Sequence, residues 1–353
     1  MRRRDLLIGA GLWAGACATG GAPVSVNDRK PLVIAHRGAS GERPEHTLAA
    51  YRLAIQQGAD FIEPDLVLTK DGQLVCRHEN EISGTTDVAQ RTEFASRRTK
   101  KTVDGSEVEG WFTEDFTLGE LKTLRCRERL PQLRPDNAAF DGVETIPTFD
   151  EVCALAKSQG VGVYPETKHP TYFEKLGQSF DDVLLDALAA HGWRDASAPV
   201  FIQSFEVTNL KRLRARTSLL LIQLVAAEGM PFDLLASGSG LTYGDLIRGD
   251  GLKRVAAYAN GIGPEKALIV PRDSAARSLA PSDLVDRAHA AALKVHPWTF
   301  RAENYFLPAE RRSAGTPATH GDLDGELRQF YALGVDGVFA DFPAAAVKAR
   351  SAQ

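Results

Sequence analysis

Short apolar segments that alternate with helical segments constrain the fold of this chain more than any other feature of its sequence. Most of these segments are continuously apolar, which is the pattern of strands buried on both faces of a sheet. Parallel neighbours of this kind are joined by crossover helices, which cover the sheet on both sides. The sequence therefore predicts an α/β architecture built on a parallel sheet.

The predicted strands and helices follow one another along most of the chain. Strands are predicted at residues 32–35, 61–68, 74–76, 161–164, 200–202, 219–224, 267–270, 294–298 and 337–339. Helices are predicted at residues 45–57, 149–159, 180–191, 207–216, 252–260, 282–293 and 323–333. About eight strands favour a closed TIM (β/α)8 barrel over an open doubly wound sheet, although periodicity alone leaves that choice open.

A polar stretch at residues 79–144 interrupts this alternation and is rich in charged and turn residues. We therefore expect a barrel domain over residues 30–350 with an inserted cap segment. Because loops at the C-terminal face of such a barrel carry function, the insertion is expected beside the active site. Its aromatic residues Trp111, Phe112 and Phe116 either form part of the cap or give the insertion a core of its own.

The N-terminal residues have the pattern of an export signal. Arg2, Arg3 and Arg4 precede a short apolar run over residues 6–16, which predicts a signal over residues 1–22. The segment resembles a twin-arginine signal, and residues 14–17 resemble a weak lipobox that ends at Cys17. We expect an exported protein in the periplasm, or a membrane-anchored one if Cys17 carries lipid. Beyond this signal no apolar run is long enough to span a membrane.

Charge and cysteine content exclude two further classes of protein. The net charge of −4 provides no basic surface for nucleic acid. Cys76, Cys126 and Cys153 allow at most one disulfide, and their spacing does not match a zinc site. Cys76 and Cys153 are best interpreted as small buried apolar residues.

Polar side chains cluster where the predicted strands end. Glu63 and Asp65 are two residues apart on one strand and therefore point to the same face, and the same holds for Glu166 and Lys168. The candidate site residues are His36, Arg37, Glu63, Asp65, His78, Glu166, Lys168, Gln203 and Trp298. The C-terminal ends of the strands form the active-site face of a TIM barrel, so these side chains are expected to meet there.

This set of side chains suits phosphoryl transfer. Three carboxylates are hard oxygen ligands for one divalent cation, Ca²⁺ or Mg²⁺. Arg37 and Lys168 carry charges that neutralise phosphate oxygens, and His36 and His78 are candidates for general acid and base. Any one of these residues taken alone is more often a solvated or capping residue at a strand end.

Several separated motifs resemble the glycerophosphodiester phosphodiesterase family. The first runs from His36-Arg37-Gly38 to Tyr51, and residues 58–72 continue it. The others are residues 75–78, 165–168, 203–205 and 336–343, in the order that the family has. The resemblance spans Pro31 to Pro343 and is greatest to the periplasmic branch, which carries a long insertion after the second histidine.

The resemblance implies a TIM-barrel enzyme that hydrolyses glycerophosphodiesters to sn-glycerol 3-phosphate and an alcohol. His36 and His78 match the catalytic acid/base pair, and Arg37 and Lys168 match phosphate-binding positions. Glu63, Asp65 and Glu166 match the metal ligands, and Gln203 and Trp298 are expected to contact the substrate. The family usually has Asp after the second histidine, whereas this chain has Glu79.

Two other classes of function remain open at this point. A lysophospholipase D or sphingomyelinase D relative would share the barrel and the metal site but should have an apolar rim for an acyl chain. A non-catalytic binding protein on the same fold should have lost a histidine or a metal ligand. The insertion is mainly polar and no such residue is lost, so glycerophosphodiester hydrolysis is the favoured interpretation.

Overall fold

The computed structural model describes residues 30–352. The predicted export signal at residues 1–22, including Cys17, lies outside the described residues. Within the described part of the chain, none of the helices combines the length and the apolar character that crossing a membrane requires. Cys76, Cys126 and Cys153 are all buried with free thiols.

The described chain contains thirteen strands and twelve α-helices. The strands are β1 (Leu32–His36), β2 (Phe61–Glu63), β3 (Asp65–Leu68), β4 (Leu74–Cys76), β5 (Thr99–Val103), β6 (Ser106–Gly110), β7 (Gly162–Val163), β8 (Glu166–Thr167), β9 (Phe201–Ser204), β10 (Leu220–Val225), β11 (Gly261–Pro264), β12 (Lys294–Val295) and β13 (Gly337–Ala340). The helices are α1 (Leu48–Gln56), α2 (Leu118–Leu121), α3 (Phe149–Gln159), α4 (Pro170–Lys175), α5 (Phe180–Ala190), α6 (Val207–Arg214), α7 (Phe232–Ala236), α8 (Tyr243–Ile247), α9 (Gly251–Ala256), α10 (Leu284–Ala290), α11 (Leu323–Ala332) and α12 (Pro343–Ser351).

Parallel strands close into a barrel. One ladder has the order β13-β1-β2-β7, and the other has the order β12-β11-β10-β9-β8-β3 before it ends on β4. Strands β2 and β3 follow each other directly across Pro64, and backbone bonds of 3.0 Å to Ile62 and Pro64 hold β7 and β8 beside them. Phe300 N donates to Phe339 O at 2.8 Å and so joins the chain after β12 to β13. With β2–β3 and β7–β8 each counted once, the ring has eight strands, which confirms the predicted (β/α)8 barrel.

The barrel interior has an apolar layer beneath a polar one. The apolar layer consists of Ile34, Phe61, Tyr164, Phe201, Ile222 and Phe339. Side chains at positions i and i+2 of a strand point to the same face. The residue two positions after each of these six therefore belongs to the next interior layer, at the C-terminal ends of the strands. Five of those next residues are polar, namely His36, Glu63, Glu166, Gln203 and Asp341. The fold therefore places a polar site on a packed apolar floor.

The strand predicted at residues 267–270 is wrong. The sixth barrel strand is β11, and residues 266–268 form a short 3-10 helix. Two glycines in β11 leave room for larger neighbours, because a Cβ on Gly261 would lie 2.8 Å from Ile222 and one on Gly263 would lie 2.6 Å from Leu224. Side chains of β10 fill the barrel interior at the two glycines of β11. The apolar run at residues 267–270 has another cause, because Ile269 and Val270 are buried after the strand ends.

Strand β4 is real but lies outside the barrel ring. It pairs with β3 in the antiparallel direction, with Leu66 opposite Cys76. Arg77 N donates to Asp65 O at 3.0 Å, which extends this pairing to the end of the hairpin. The hairpin therefore returns His78 to the strand end that carries Asp65.

The insertion forms a small layer with its own aromatic core. Strands β5 and β6 make a hairpin, and Trp111 Nε1 donates to Phe94 O at 2.7 Å. The rings of Phe94 and Phe116 pack edge to face at 5.1 Å, and Phe112 and Phe116 are fully buried. Of the two alternatives for these aromatics, the structure shows the second, a core internal to the insertion.

The glycines of β11 generate a stability prediction. We expect Gly263→Ala to lower the free energy of unfolding by about 1–3 kcal/mol, because its Cβ would overlap Leu224. Gly84→Ala is the matched control, since a Cβ at that position would meet no atom of the described residues within 4 Å apart from its own chain neighbours. Urea unfolding of the three proteins measures both effects. Equal midpoints for Gly263→Ala and the wild type would show that the barrel relaxes freely at β11.

Candidate active site

The structure brings all nine predicted site residues to the C-terminal end of the barrel. A cavity of about 500 Å³ opens at this end. Its walls include His36, Arg37, Glu63, His78, Glu166, Gln203 and Trp298. Lys168 lines an adjoining cavity, and Asp65 is buried with 1% of its surface exposed.

Glu63, Asp65 and Glu166 form a compact buried cluster. One carboxylate oxygen from each lies within 4.8 Å of the other two. Burial and the charges of its two neighbours raise the pKa of Glu63 well above its ordinary value, and burial raises the pKa of Glu166 to about 8. Asp65 Oδ1 has no hydrogen-bond partner among residues 30–352. Three crowded oxygen donors with a free lone pair fit a hard divalent cation.

A histidine outside the predicted set orients Asp65. His46 Nε2 lies 2.9 Å from Asp65 Oδ2, and His46 Nδ1 lies 2.7 Å from the Tyr51 hydroxyl. A carboxylate accepts, so Nε2 carries the proton and Nδ1 accepts from the tyrosine. Partners of this kind fix the orientation of a ligand and tune its affinity for the metal. The sequence offered one signal for this role, which is the place of His46 in the opening motif.

Gln203 lies on the carboxylate cluster. Its Nε2 donates to Glu63 Oε1 at 3.0 Å, and its own Oε1 is buried with no partner within the described chain. The structure therefore holds this amide against Glu63 of the carboxylate cluster.

Trp298 presents its ring, and not its donor, to the cavity. The indole Nε1 donates to Gly263 O at 2.7 Å, which fixes the ring. The ring packs edge to face against Phe205 at 5.8 Å. Trp298 therefore offers an apolar surface to whatever occupies the cavity.

His36 is oriented by a carboxylate from the last strand. Its Nδ1 lies 2.6 Å from Asp341 Oδ1, so Nδ1 carries the proton and Nε2 is left to accept one. Burial and the charge of Arg37 lower the pKa of His36 to about 4, although Asp341 opposes the shift. Asp341 falls in one of the family motifs, but sequence reasoning assigned it no role. His36 is therefore neutral at pH 7, with its Nε2 unprotonated.

His78 has a similar arrangement. Its Nδ1 contacts the Glu79 carboxylate, and its Nε2 lies 3.3 Å from Lys168 Nζ. Burial and the charges of Arg37 and Lys168 lower the pKa of His78 to about 3. Lys168 also donates to Glu166 Oε1 at 2.8 Å. Glu79 occupies the position where the family usually has Asp, and it orients His78.

Arg37 lies among carboxylates at the edge of the cluster. Its Nη1 donates to Glu45 Oε2 at 2.9 Å, and its backbone N donates to Glu63 Oε2 at 2.7 Å. Its Nε lies 3.4 Å from Asp65 Oδ2. The guanidinium is thus held beside the carboxylates and lines the cavity.

The insertion supports the site through two arginines that the sequence did not single out. Arg129 binds Glu45 with two hydrogen bonds of 2.6 and 2.9 Å. Arg134 donates to Asp341 Oδ2 and to Glu303 Oε1, both at 2.5 Å. None of residues 79–144, all of which are described, lines the cavity. Its other walls include Phe205, Leu224 and Phe339 together with residues from 265–272 and 299–306. The insertion therefore braces the carboxylates that hold Arg37 and His36.

Comparison with known proteins decides the family. The sequence model of the glycerophosphoryl diester phosphodiesterase family matches residues 36–345, which is most of the chain. This chain belongs to the glycerophosphoryl diester phosphodiesterase family. It is therefore an enzyme of the phosphodiesterase class, and the interpretation as a non-catalytic binding protein is excluded.

Relatives of this phosphodiesterase are similar over nearly their whole length. A glycerophosphodiester phosphodiesterase of Arabidopsis thaliana is 38% identical over 330 residues, which cover 89% of this chain and 84% of the relative. One from Haemophilus influenzae is 30% identical, with 96% of this chain and 94% of the relative covered.

Solved structures support the fold of the phosphodiesterase. An Oleispira antarctica phosphodiesterase in complex with the product sn-glycerol-3-phosphate is 24% identical, has a TM-score of 0.60, and is covered over 91% of this chain and 97% of that one. A glycerophosphodiester phosphodiesterase from Agrobacterium tumefaciens has a TM-score of 0.58 and 18% identity, with 90% of this chain and 99% of that one covered. At these identities the likeness shows a shared barrel fold.

The buried ion pairs of Arg134 generate a second prediction. We expect Arg134→Gln to lower the free energy of unfolding by about 3–5 kcal/mol, because the buried carboxylates of Asp341 and Glu303 lose a partner. Arg125→Gln is the control, since Arg125 lies in the same insertion and, among residues 30–352, its side chain donates hydrogen bonds to the backbone oxygens of Thr123 and Leu124 and forms no ion pair. Denaturant unfolding of both variants provides the comparison. A loss below about 1 kcal/mol for Arg134→Gln would mean that Arg301 alone compensates Asp341.

Proposed function

We propose that this phosphodiesterase hydrolyses glycerophosphodiesters to sn-glycerol 3-phosphate and an alcohol, with one divalent cation, Ca²⁺ or Mg²⁺, and histidine acid/base catalysis. One observation carries the proposal. Two histidines flank the buried carboxylate cluster, and a second carboxylate contacts the Nδ1 atom of each histidine. The names of the relatives and the product in the Oleispira antarctica complex support the choice of substrate.

Glu63, Asp65 and Glu166 would hold the cation. When bound, it would supply charge stabilisation at phosphorus and a lower pKa for the attacking oxygen. The three carboxylates provide the ligands, His46 keeps Asp65 in one orientation, and Gln203 does the same for Glu63.

Arg37 and Lys168 bind the phosphate in this proposal. Both are buried cations whose side chains already bridge to the carboxylates of the site. Their charges would neutralise the non-bridging phosphate oxygens and hold the diester in place for attack.

His36 and His78 move the protons. One takes a proton from the nucleophile, and the other gives a proton to the oxygen of the departing alcohol. The nucleophile is either water or a free hydroxyl of the glycerol moiety, and the second route passes through a cyclic phosphodiester that water then opens. Asp341 and Glu79 hold the two rings by their Nδ1 atoms, which leaves Nε2 of His36 for the reaction, while Nε2 of His78 lies 3.3 Å from Lys168 Nζ.

The glycerol half packs on the ring of Trp298 within the cavity of about 500 Å³. This cavity is far larger than the volume that a few carbon and oxygen atoms need, so it also admits part of the second alcohol.

We further propose that the barrel domain over residues 30–350 is exported by a signal at residues 1–22. The positive start and the short apolar run support this assignment. Periplasmic release and lipid anchoring at Cys17 are the two alternatives, and fractionation of cells with and without Cys17→Ala distinguishes them.

Replacement of either proposed catalytic histidine provides a third prediction. We expect His36→Ala and His78→Ala each to lower kcat by about 10²–10⁴-fold, the usual effect of losing one acid or base, with a smaller change in KM. His191→Ala is the control, because His191 pairs with the exposed side chain of Asp150. Steady-state kinetics on glycerophosphocholine measure the effect. A variant with near wild-type kcat would remove that histidine from the mechanism.

Chelation tests the proposed function and the metal together. We expect the wild type to hydrolyse glycerophosphocholine, to lose activity in excess EDTA, and to regain it with Ca²⁺ or Mg²⁺. Lysophosphatidylcholine and sphingomyelin, assayed beside it, should be poorer substrates. Calorimetry should also show one cation bound by the wild type and none by Glu63→Gln/Asp65→Asn. Full activity after exhaustive chelation would contradict the metal assignment, and preference for the acyl-bearing lipids would contradict the substrate.

A further inference from the structure

Arg301 lines the same cavity as His36, and the proposed function assigns it no role. It lies where the chain after β12 joins the last barrel strand. Phe300 pairs in parallel with Ala340, so Arg301 and Asp341 are neighbours at the strand ends. Asp341 N donates to Phe300 O at 3.1 Å, which extends this pairing. The backbone therefore places Arg301 at the polar end of the barrel, beside the carboxylate that orients His36.

One carboxylate holds both Arg301 and His36. Asp341 Oδ1 accepts from His36 Nδ1 at 2.6 Å, and Asp341 Oδ2 accepts from Arg301 Nε at 2.9 Å. Because the two groups share this carboxylate, the guanidinium and the imidazole lie side by side on the cavity wall. Burial and the charge of Arg37 lower the pKa of His36 to about 4, and the charge of Arg301 adds to this shift, in agreement with a short separation.

An aromatic ring supports the guanidinium of Arg301. Its Cζ lies 4.5 Å from the centre of the Phe306 ring. Phe306 is held in turn, because its backbone O accepts from Arg272 Nη1 at 2.9 Å and its ring packs edge to face against Tyr305 at 4.9 Å. An arginine fixed at its Nε and at one face keeps a single orientation without using its two Nη atoms.

The Nη atoms of Arg301 are uncommitted donors at the cavity wall. Among residues 30–352, neither of them donates a hydrogen bond, and the side chain is 24% exposed. Lys266 and Arg272, which line the same side of the cavity, are both paired with the buried carboxylate of Glu326. Asp341 offsets the charge of Arg301, so the feature that remains is hydrogen-bonding capacity rather than an excess of positive charge.

We propose that Arg301 is a further substrate-binding residue, whose Nη atoms donate to the phosphate group from the side of the cavity that His36 occupies. The inference rests on the proposed function. A planar guanidinium with two free N–H groups matches the geometry of two phosphate oxygens. Arg37 and Lys168 bind the phosphate beside the carboxylate cluster, and Arg301 adds donors on the His36 side. Since Asp341 orients both His36 and Arg301, it fixes the bound phosphate relative to Nε2 of the histidine.

The alternative is that Arg301 acts on Asp341 alone. In that role it would offset the charge of the buried carboxylate and keep it as an acceptor for His36. Loss of such a residue would lower kcat through a misplaced His36, but it would leave the affinity for a phosphate compound unchanged. Measured binding therefore separates the two roles where activity alone does not.

The experiment measures binding and turnover in the wild type, Arg301→Gln, Arg301→Lys and the control Arg312→Gln. Calorimetry with the activating cation present gives the Kd of sn-glycerol 3-phosphate and of inorganic phosphate, and steady-state kinetics give kcat/KM for glycerophosphocholine. Arg312 is exposed, donates through Nε to Leu307 O at 3.0 Å and, within residues 30–352, forms no ion pair. Its replacement removes the same charge away from the cavity, and thermal unfolding checks that each variant is folded.

We expect Arg301→Gln to raise both Kd values by about 10- to 100-fold, the range for lost hydrogen bonds to a charged group, and to lower kcat/KM by a similar factor. Arg301→Lys should lose less affinity, because it keeps the charge beside Asp341 but not the planar pair of donors. It also provides the test if Arg301→Gln does not fold. Arg312→Gln should match the wild type in all three quantities.

Wild-type Kd values in the Arg301 variants, with a lower kcat, would overturn the proposal and leave Arg301 as a partner of Asp341. A higher Kd for sn-glycerol 3-phosphate with an unchanged Kd for inorganic phosphate would also overturn it, since the contact would then be with the glycerol hydroxyls. Equal losses in Arg312→Gln would show a general effect of charge and contradict a direct contact. Failure of the wild type to hydrolyse glycerophosphocholine would instead overturn the proposed function itself.

Discussion

The burial of three carboxylates at one end of the barrel is the constraint on which the rest of the site depends. Glu63, Asp65 and Glu166 lie on an apolar floor, where water cannot screen their repulsion. Positive groups and donors are therefore packed around them, including Arg37, Lys168 and the amide of Gln203. Burial at the same end of the barrel lowers the pKa of both histidines, and the charge of Arg37 near each of them and of Lys168 near His78 adds to this effect. The proposed metal site and the proposed acid/base pair thus have one physical origin.

Charge also explains what the insertion contributes. A polar segment of this length next to an active site suggests a lid, but its aromatics are used in its own core. Its arginines instead reach the carboxylates that orient the functional side chains, Arg129 at Glu45 and Arg134 at Asp341. A buried carboxylate that holds a histidine needs compensation of its own charge, because otherwise it would prefer to be protonated and would lose its role as an acceptor.

Local patterns in the sequence predicted a parallel α/β architecture and candidate residues at the strand ends, and the resemblance to the family decided in favour of the closed barrel and of the roles of the nine residues. Apolar runs report burial on two faces, and residues at strand ends share one edge of the barrel whatever lies between them. The strand at β11 was missed because Gly261 and Gly263 carry no apolar signal, and only the side chains of Ile222 and Leu224 show why glycine is needed there. The roles of His46, Arg129 and Arg134 were also missed, because they depend on contacts between segments far apart in the chain.

Two cavities lie at the polar end of the barrel and share Glu166 and Phe205 in their walls. The first combines Arg37 with carboxylates of the cluster, whereas Lys168, Asp104 and several aromatic rings line the second. Phe205 lies between them and packs on Trp298 from one side and Tyr243 from the other. A single ring in contact with both aromatic walls fixes their separation, so side-chain packing sets the distance between the two cavities. The barrel strands hold one half of this arrangement, and the hairpin of the insertion closes the other half at Asp104.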